Sequence, residues 1–122
     1  MQSKSEHLNE VLTHLSRALP DVRGAVIATR EGLPVARTFM DGVDAERVAA
    51  MSVTAVGLGQ RLAASLNTGE MREVSVSGKD GHVFVYASGG KGVLGVITKP
   101  GANIALLHLE ARDAALAIAH ML

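Results

Sequence analysis

The stretch Asp44-Ala45-Glu46-Arg47-Val48-Ala49-Ala50-Met51-Ser52-Val53-Thr54-Ala55-Val56-Gly57-Leu58-Gly59-Gln60-Arg61-Leu62 decides how the chain is read. Asp44 is a strong helix N-cap, and Glu46 stands in the first turn, where the positive end of the helix dipole favours an acid. Helical spacing of apolar residues persists to about Leu66, and Asn67-Thr68-Gly69 closes the helix. Val48, Met51, Ala55, Leu58 and Leu62 step by three and four, which makes one stripe, the one expected to pack on a sheet. A second stripe, offset by one residue, holds Ala49, Ser52, Val56, Gly59 and Ala63, mostly small residues that let a second helix approach closely. From Val48 to Gly59 no side of the helix carries a charge, over about 18 Å. A surface helix of a small domain shows charges outward, and Gly57 and Gly59 each cost about 1 kcal/mol against alanine. The small stripe is therefore expected to meet a second copy of the same helix.

The flanking segments supply the rest of the fold. The chain has 122 residues, enough for one domain over 1–122, with residues 1–4 expected as a flexible lead-in. Leu8, Val11, Leu12, Leu15 and Leu19 recur at helical spacing, so a helix is expected from about Ser5 to Leu19, ended by Pro20. Gly24–Thr29 is a continuous apolar run, read as a strand buried on both faces. Leu33–Arg37 is a strand carrying Pro34, and a residue without an N–H belongs at a sheet edge. Beyond the central helix, Val74 and Val76 alternate with Ser75 and Ser77, Asp80-Gly81 marks a hairpin, and Val83–Ala87 and Val93–Thr98 are further apolar strands. Asn103 caps a final helix carrying Ile104, Leu107, Ala111, Ala114, Ala115, Ile118 and Leu122 inward. The class is α+β, in the order α-β-β-α-β-β-β-α. Burying the apolar strands requires a five-stranded, mainly antiparallel sheet ordered 2-1-5-4-3, with the central helix on one face and the two terminal helices on the other.

The third strand is the second sheet edge in this layout. Between Glu73 and Gly78 it has serines but neither proline nor lysine, the usual guards of an exposed edge. A twofold dimer that pairs this edge with its own copy also covers the central helix with its copy. The expected dimer interface is thus Ala49, Ser52, Val56, Gly59 and Ala63 with Glu73, Ser75 and Ser77. Arg47, Gln60 and Arg61 flank the uncharged part of the helix, either as a polar rim or as solvated helix ends.

Composition excludes several functions. There is no cysteine, hence no disulfide framework, thiolate metal site or cysteine nucleophile. Twelve basic residues balance twelve acidic ones and only three side chains are aromatic, so neither an electrostatic footprint nor a stacking platform for nucleic acid exists. No run suits a membrane span and the start lacks a signal-peptide core, so a cytoplasmic protein without membrane insertion is expected. Gly89-Gly90-Lys91-Gly92 lies between two strands and no serine or threonine follows the lysine, so it reads as a hairpin turn rather than a phosphate loop. The five histidines form no His-Glu-x-x-His or other metal-ligand spacing. No nucleophile–base pair or paired carboxylates are visible, so neither an enzyme nor a resident cofactor is expected.

Several segments together resemble the Roadblock (dynein light chain) family. They are Leu19–Ile27 followed by Glu31–Ala36, the opening Asp44–Met51, Gly69-Glu70 before the third strand, and Gly101–Leu106 opening the last helix. The likeness runs from about Leu8 to Leu122 and lies in the order and spacing of these segments. The resemblance implies homodimers or heterodimers with a continuous sheet and paired central helices. Bacterial members of the gliding-protein type bind Ras-like small GTPases, and some promote hydrolysis by positioning the GTPase's own residues. The chain is more compact than those members that carry a longer C-terminal extension. The resemblance therefore implies a non-enzymatic homodimer that regulates or scaffolds a Ras-like GTPase; Arg47, Gln60 and Arg61, by their place beside the uncharged part of the helix, are the expected GTPase contacts. The alternative is a small-molecule sensor or structural interaction module of profilin-like or PAS-like architecture, which needs an apolar cavity.

Overall fold

Local chemistry sets the element boundaries. The computed structural model describes residues 2–39 and 42–122. It contains α1 (Lys4–Ala18), β1 (Val22–Thr29), β2 (Pro34–Phe39), α2 (Ala45–Ser65), β3 (Glu73–Gly78), β4 (Gly81–Ser88), β5 (Gly92–Thr98) and α3 (Ile104–Met121). The Asp44 carboxylate accepts from the amides of Glu46 and Arg47 at 3.0 and 3.3 Å, and the Asn103 side chain accepts from that of Leu106 at 3.1 Å. Ser3 caps α1, its hydroxyl accepting from the Glu6 amide at 3.2 Å. Within the expected lead-in over residues 1–4, Ser3 and Lys4 form the cap and first turn of α1, and Met1 lies outside the described residues.

The five strands form one sheet in the order β2-β1-β5-β4-β3, antiparallel at every pairing. Pro34 opens the edge strand β2, where its missing N–H breaks no ladder. On one face, Leu8, Leu12 and Leu15 of α1 and Leu107, Ala111 and Ile118 of α3 pack on Ile27, Tyr86, Leu94 and Val96. Each such leucine contributes about 1.5–3 kcal/mol. On the other face α2, with Met71 from the segment that follows it, covers Val26, Ala28, Val85 and Val93.

The two stripes of α2 are placed the opposite way from the sequence expectation. Ala49, Ser52 and Val56 are 0%, 4% and 1% exposed, whereas Met51, Leu58 and Leu62 are 57%, 52% and 53% exposed. Ala49, Ser52 and Val56 face the chain's own sheet and Gly59 faces Met71 and Val74, so these four are not a free surface; Ala63, near the helix end, is only half-buried. The cause is a close seat. A Cβ placed on Gly95 at the middle of β5 would lie 3.0 Å from Ser52 Oγ and 3.3 Å from Val26 Cγ1. One placed on Gly59 would lie 2.6 Å from both Met71 Sδ and Val74 Cγ2. A helix this near its sheet has no room for leucine or methionine underneath, and its bulky stripe turns outward.

Gly95→Val is expected to overpack this seat and to destabilise the fold by about 1–3 kcal/mol. A lowered midpoint in urea unfolding followed by circular dichroism checks it, and an unchanged midpoint contradicts the close seat.

Candidate interaction surface

The outward stripe of α2 is the first part of the surface. Met51, Leu58 and Leu62 recur every four to seven residues along it, flanked by Ala55. Thr54 lies between them and spends its hydroxyl on its own helix, donating to the Ala50 carbonyl at 3.0 Å. No free polar side chain therefore interrupts the ridge from Met51 to Leu58. Arg47 sits one turn before Met51 and Arg61 one turn after Leu58, both exposed and on the ridge side, about 21 Å apart along the axis. Gln60 is half-buried on the flank and does not share that side. Of the three polar residues expected together, the structure aligns the two arginines and separates the glutamine.

The second part is β3. It pairs with β4 from Glu73↔Tyr86 to Gly78↔Gly81 without a bulge, and it ends the sheet, so among the described residues its other side has no partner strand. Val74 and Val76 lie on the α2 face, Val74 against the helix and Val76 56% exposed. Ser75 and Ser77 are exposed on the opposite face. An unguarded edge with an apolar side chain beside it adjoins the apolar ridge of α2 on the same face of the sheet.

Glu73, expected to be an interface residue, is engaged within the chain. Its carboxylate accepts from Arg112 Nη2 at 2.6 Å, and its Oε1 lies 3.7 Å from His108 Nδ1. The same imidazole nitrogen is hydrogen-bonded to the Tyr86 hydroxyl at 2.8 Å and its ring packs edge-on against Phe84, with centroids 5.5 Å apart. Burial, and next the Glu73 carboxylate, push the Tyr86 phenol above its ordinary range, while Arg112 pulls the other way. These residues tie the start of the edge strand to α3. They come from the β3–β4 hairpin and from α3, so no local motif announces them.

Among the described residues no three histidine, aspartate or glutamate side chains are grouped to hold a metal ion, and no helix is long and apolar enough to cross a membrane. Gly89–Gly92 forms the β4–β5 turn, where the Lys91 amide donates to the Ser88 carbonyl. A cleft of about 940 Å³ beyond the end of α2, bordered by Glu70, Arg72, Glu73 and Arg112, is open to solvent and polar on much of its lining. It is not the enclosed apolar cavity that a small-molecule sensor requires.

Comparison with known proteins adds to this geometry. The profile of the Roadblock/LC7 domain matches residues 8–98. The uncharacterized protein MJ0310 of Methanocaldococcus jannaschii is 29% identical over 108 residues, covering 88% of this chain and 93% of that protein. The crystal structure of a Roadblock/LC7 domain from Streptomyces avermitilis superposes with a TM-score of 0.82 at 22% identity, over 90% of this chain and 92% of that one. The gliding protein MglB from Thermus thermophilus superposes with a TM-score of 0.84 at 20% identity, over 99% of this chain and 92% of that one.

Tyr86 gives a test of the cluster, because it is the sole tyrosine and there is no tryptophan. Absorbance at 295 nm is expected to show no ionisation at the ordinary tyrosine value near pH 10 while the chain stays folded. Below that pH both folded and unfolded chains hold the proton, and the contribution to stability is intact. Above it the unfolded chain loses the proton first, so stability falls as pH rises. A midpoint near 10 with unchanged circular dichroism contradicts the buried, paired phenol.

Proposed function

We propose, from the premise that this chain belongs to the Roadblock/LC7 domain family, that it works in the cytoplasm as a non-enzymatic homodimer that binds a Ras-like small GTPase as regulator or scaffold. The observation that carries this reading is the apolar ridge Met51–Leu58–Leu62, uncharged from Val48 to Gly59 and continuous with the unguarded edge of β3. Twofold symmetry sets α2 antiparallel to its copy and β3 edge to edge with its copy, so one operation covers both features.

Surface area supports the pairing. The chain exposes 7219 Å², about 1,000 Å² more than the roughly 6,200 Å² that scaling gives a compact monomer of this mass. Standard interfaces bury about 800 Å² per partner. In the dimer the interface residues are Met51, Ala55, Leu58, Leu62 and Val76, with the backbone of Glu73, Ser75 and Ser77 in the shared ladder. Arg47 and Arg61 rim the paired helices and offer cations to the GTPase; Gln60, on the flank, contributes less. The superposition on MglB at low identity speaks for the fold, and the GTPase role rests on family membership.

Light scattering is expected to give about twice the 12.7 kDa chain mass, and Leu58→Arg is expected to give a monomer with an unchanged circular dichroism spectrum. Gly59→Arg does not serve this purpose, because Gly59 faces Met71 and Val74 inside the chain. A wild-type monomer at working concentration contradicts the dimer. Pull-down with a Ras-like GTPase encoded beside this gene, loaded with GDP or a GTP analogue, is expected to recover the complex in at least one state. Arg47→Ala/Arg61→Ala is expected to weaken it about tenfold. Recovery in neither state contradicts GTPase binding.

A further inference from the structure

The face of the sheet opposite α2 carries a feature that the dimer does not use. Side by side, α1 and α3 leave a trough of about 370 Å³ on their outer side. Its floor is Val11, Ala114, Ala117 and Met121. Its walls bear the carboxylates of Glu10, Glu110 and Asp113, with His7 and His14 beside them, and no lysine or arginine lines it. Two of these carboxylates have a neighbour within the chain: Glu10 accepts from Gln2 Nε2, and Glu110 lies 3.7 Å from His14 Nε2. Arg112 is bonded to Glu73, and Lys4 and Arg17 stand at the two ends of α1. Leu109, 63% exposed, stands one turn before Asp113 on α3, whereas Leu116, 65% exposed, borders the cleft beside Arg112 instead.

We infer that this trough is a docking site for a basic amphipathic helix of a protein partner, seated as a third helix on the α1–α3 layer. An apolar ridge at i, i+4 and i+7 spacing fills the floor, and lysine or arginine flanking the ridge meets Glu10, Glu110 and Asp113. The charge pattern selects this occupant. An anionic membrane surface is repelled by the rim carboxylates, and the same trough of a second copy presents like charge. The ridge of α2, with Arg47 and Arg61, has matching chemistry, but in the proposed dimer it is already covered. The inference uses the opposite face from α2, and only its exclusion of a second copy's α2 rests on that dimer.

The test is a selection. A displayed library of helices about 18 residues long, with aliphatic ridge positions and flanks randomised among lysine, glutamate and serine, is panned against the full chain. Lysine-flanked helices are expected to be enriched, and a synthetic winner is then measured by fluorescence anisotropy. Glu110→Lys/Asp113→Lys is expected to weaken it by at least about tenfold, Glu110→Gln/Asp113→Asn to weaken it less, and Leu58→Arg to leave it within about twofold. Circular dichroism of each variant establishes that it is folded, and the neutral pair carries the test if the reversed pair is not. No enrichment, absence of charge bias, or binding that survives both substitutions at the rim overturns the inference. Loss of binding on Leu58→Arg overturns it too, since the helix then sits on α2; failure of the dimer with rim-dependent binding retained leaves this inference standing.

Discussion

The close seat of α2 on the sheet is the constraint on which the rest depends. Gly95 leaves a gap at the middle of β5, and Ser52 fills it at a distance where even a methyl group on Gly95 would be crowded. A helix this near must present alanine, serine, valine and glycine downward. Its methionine and leucines have nowhere else to go but outward. The exposed ridge is thus a product of intrachain packing, and the chain carries an apolar face because its own core is thin there.

The sequence makes the order of elements and the strand order readable because each follows from local chemistry. Asp44 and Asn103 cap, Pro34 marks an edge, and runs such as Gly24–Thr29 demand burial on both sides. The orientation of α2 is not readable by the same rule, since bulk is usually a fair guide to the inward stripe. The signal that corrects it is Gly95, a glycine inside a strand between Leu94 and Val96, where a side chain is missing because something approaches. Of the polar residues expected at the surface, Arg47 and Arg61 fall on the ridge because they are whole turns from Met51 and Leu58. Gln60 is one residue out of phase. The Glu73–His108–Arg112–Tyr86 cluster is invisible to spacing arguments, since tertiary contact alone assembles it.

The two faces of the sheet differ in chemistry as well as in cover. The α2 side offers aliphatic surface ended by arginines, and the α1–α3 side offers a narrower apolar floor walled by carboxylates. Glu73 stands at the boundary between them. Its backbone belongs to the unguarded edge, while its side chain is held by α3 on the acidic side. A shift of α3 therefore reaches the edge strand through two polar contacts, without passing through the hydrophobic core.

The antiparallel connectivity has a kinetic corollary. β3, β4 and β5 are joined by tight turns and assemble from neighbours in the chain, as do β1 and β2. The seam between these two units is different, because Thr29 meets Gly92 across more than 60 intervening residues. Closing that loop is the entropically dear step of folding. Since α2 spans the seam while belonging by sequence to neither hairpin, docking it is what welds the two halves into one cooperative unit.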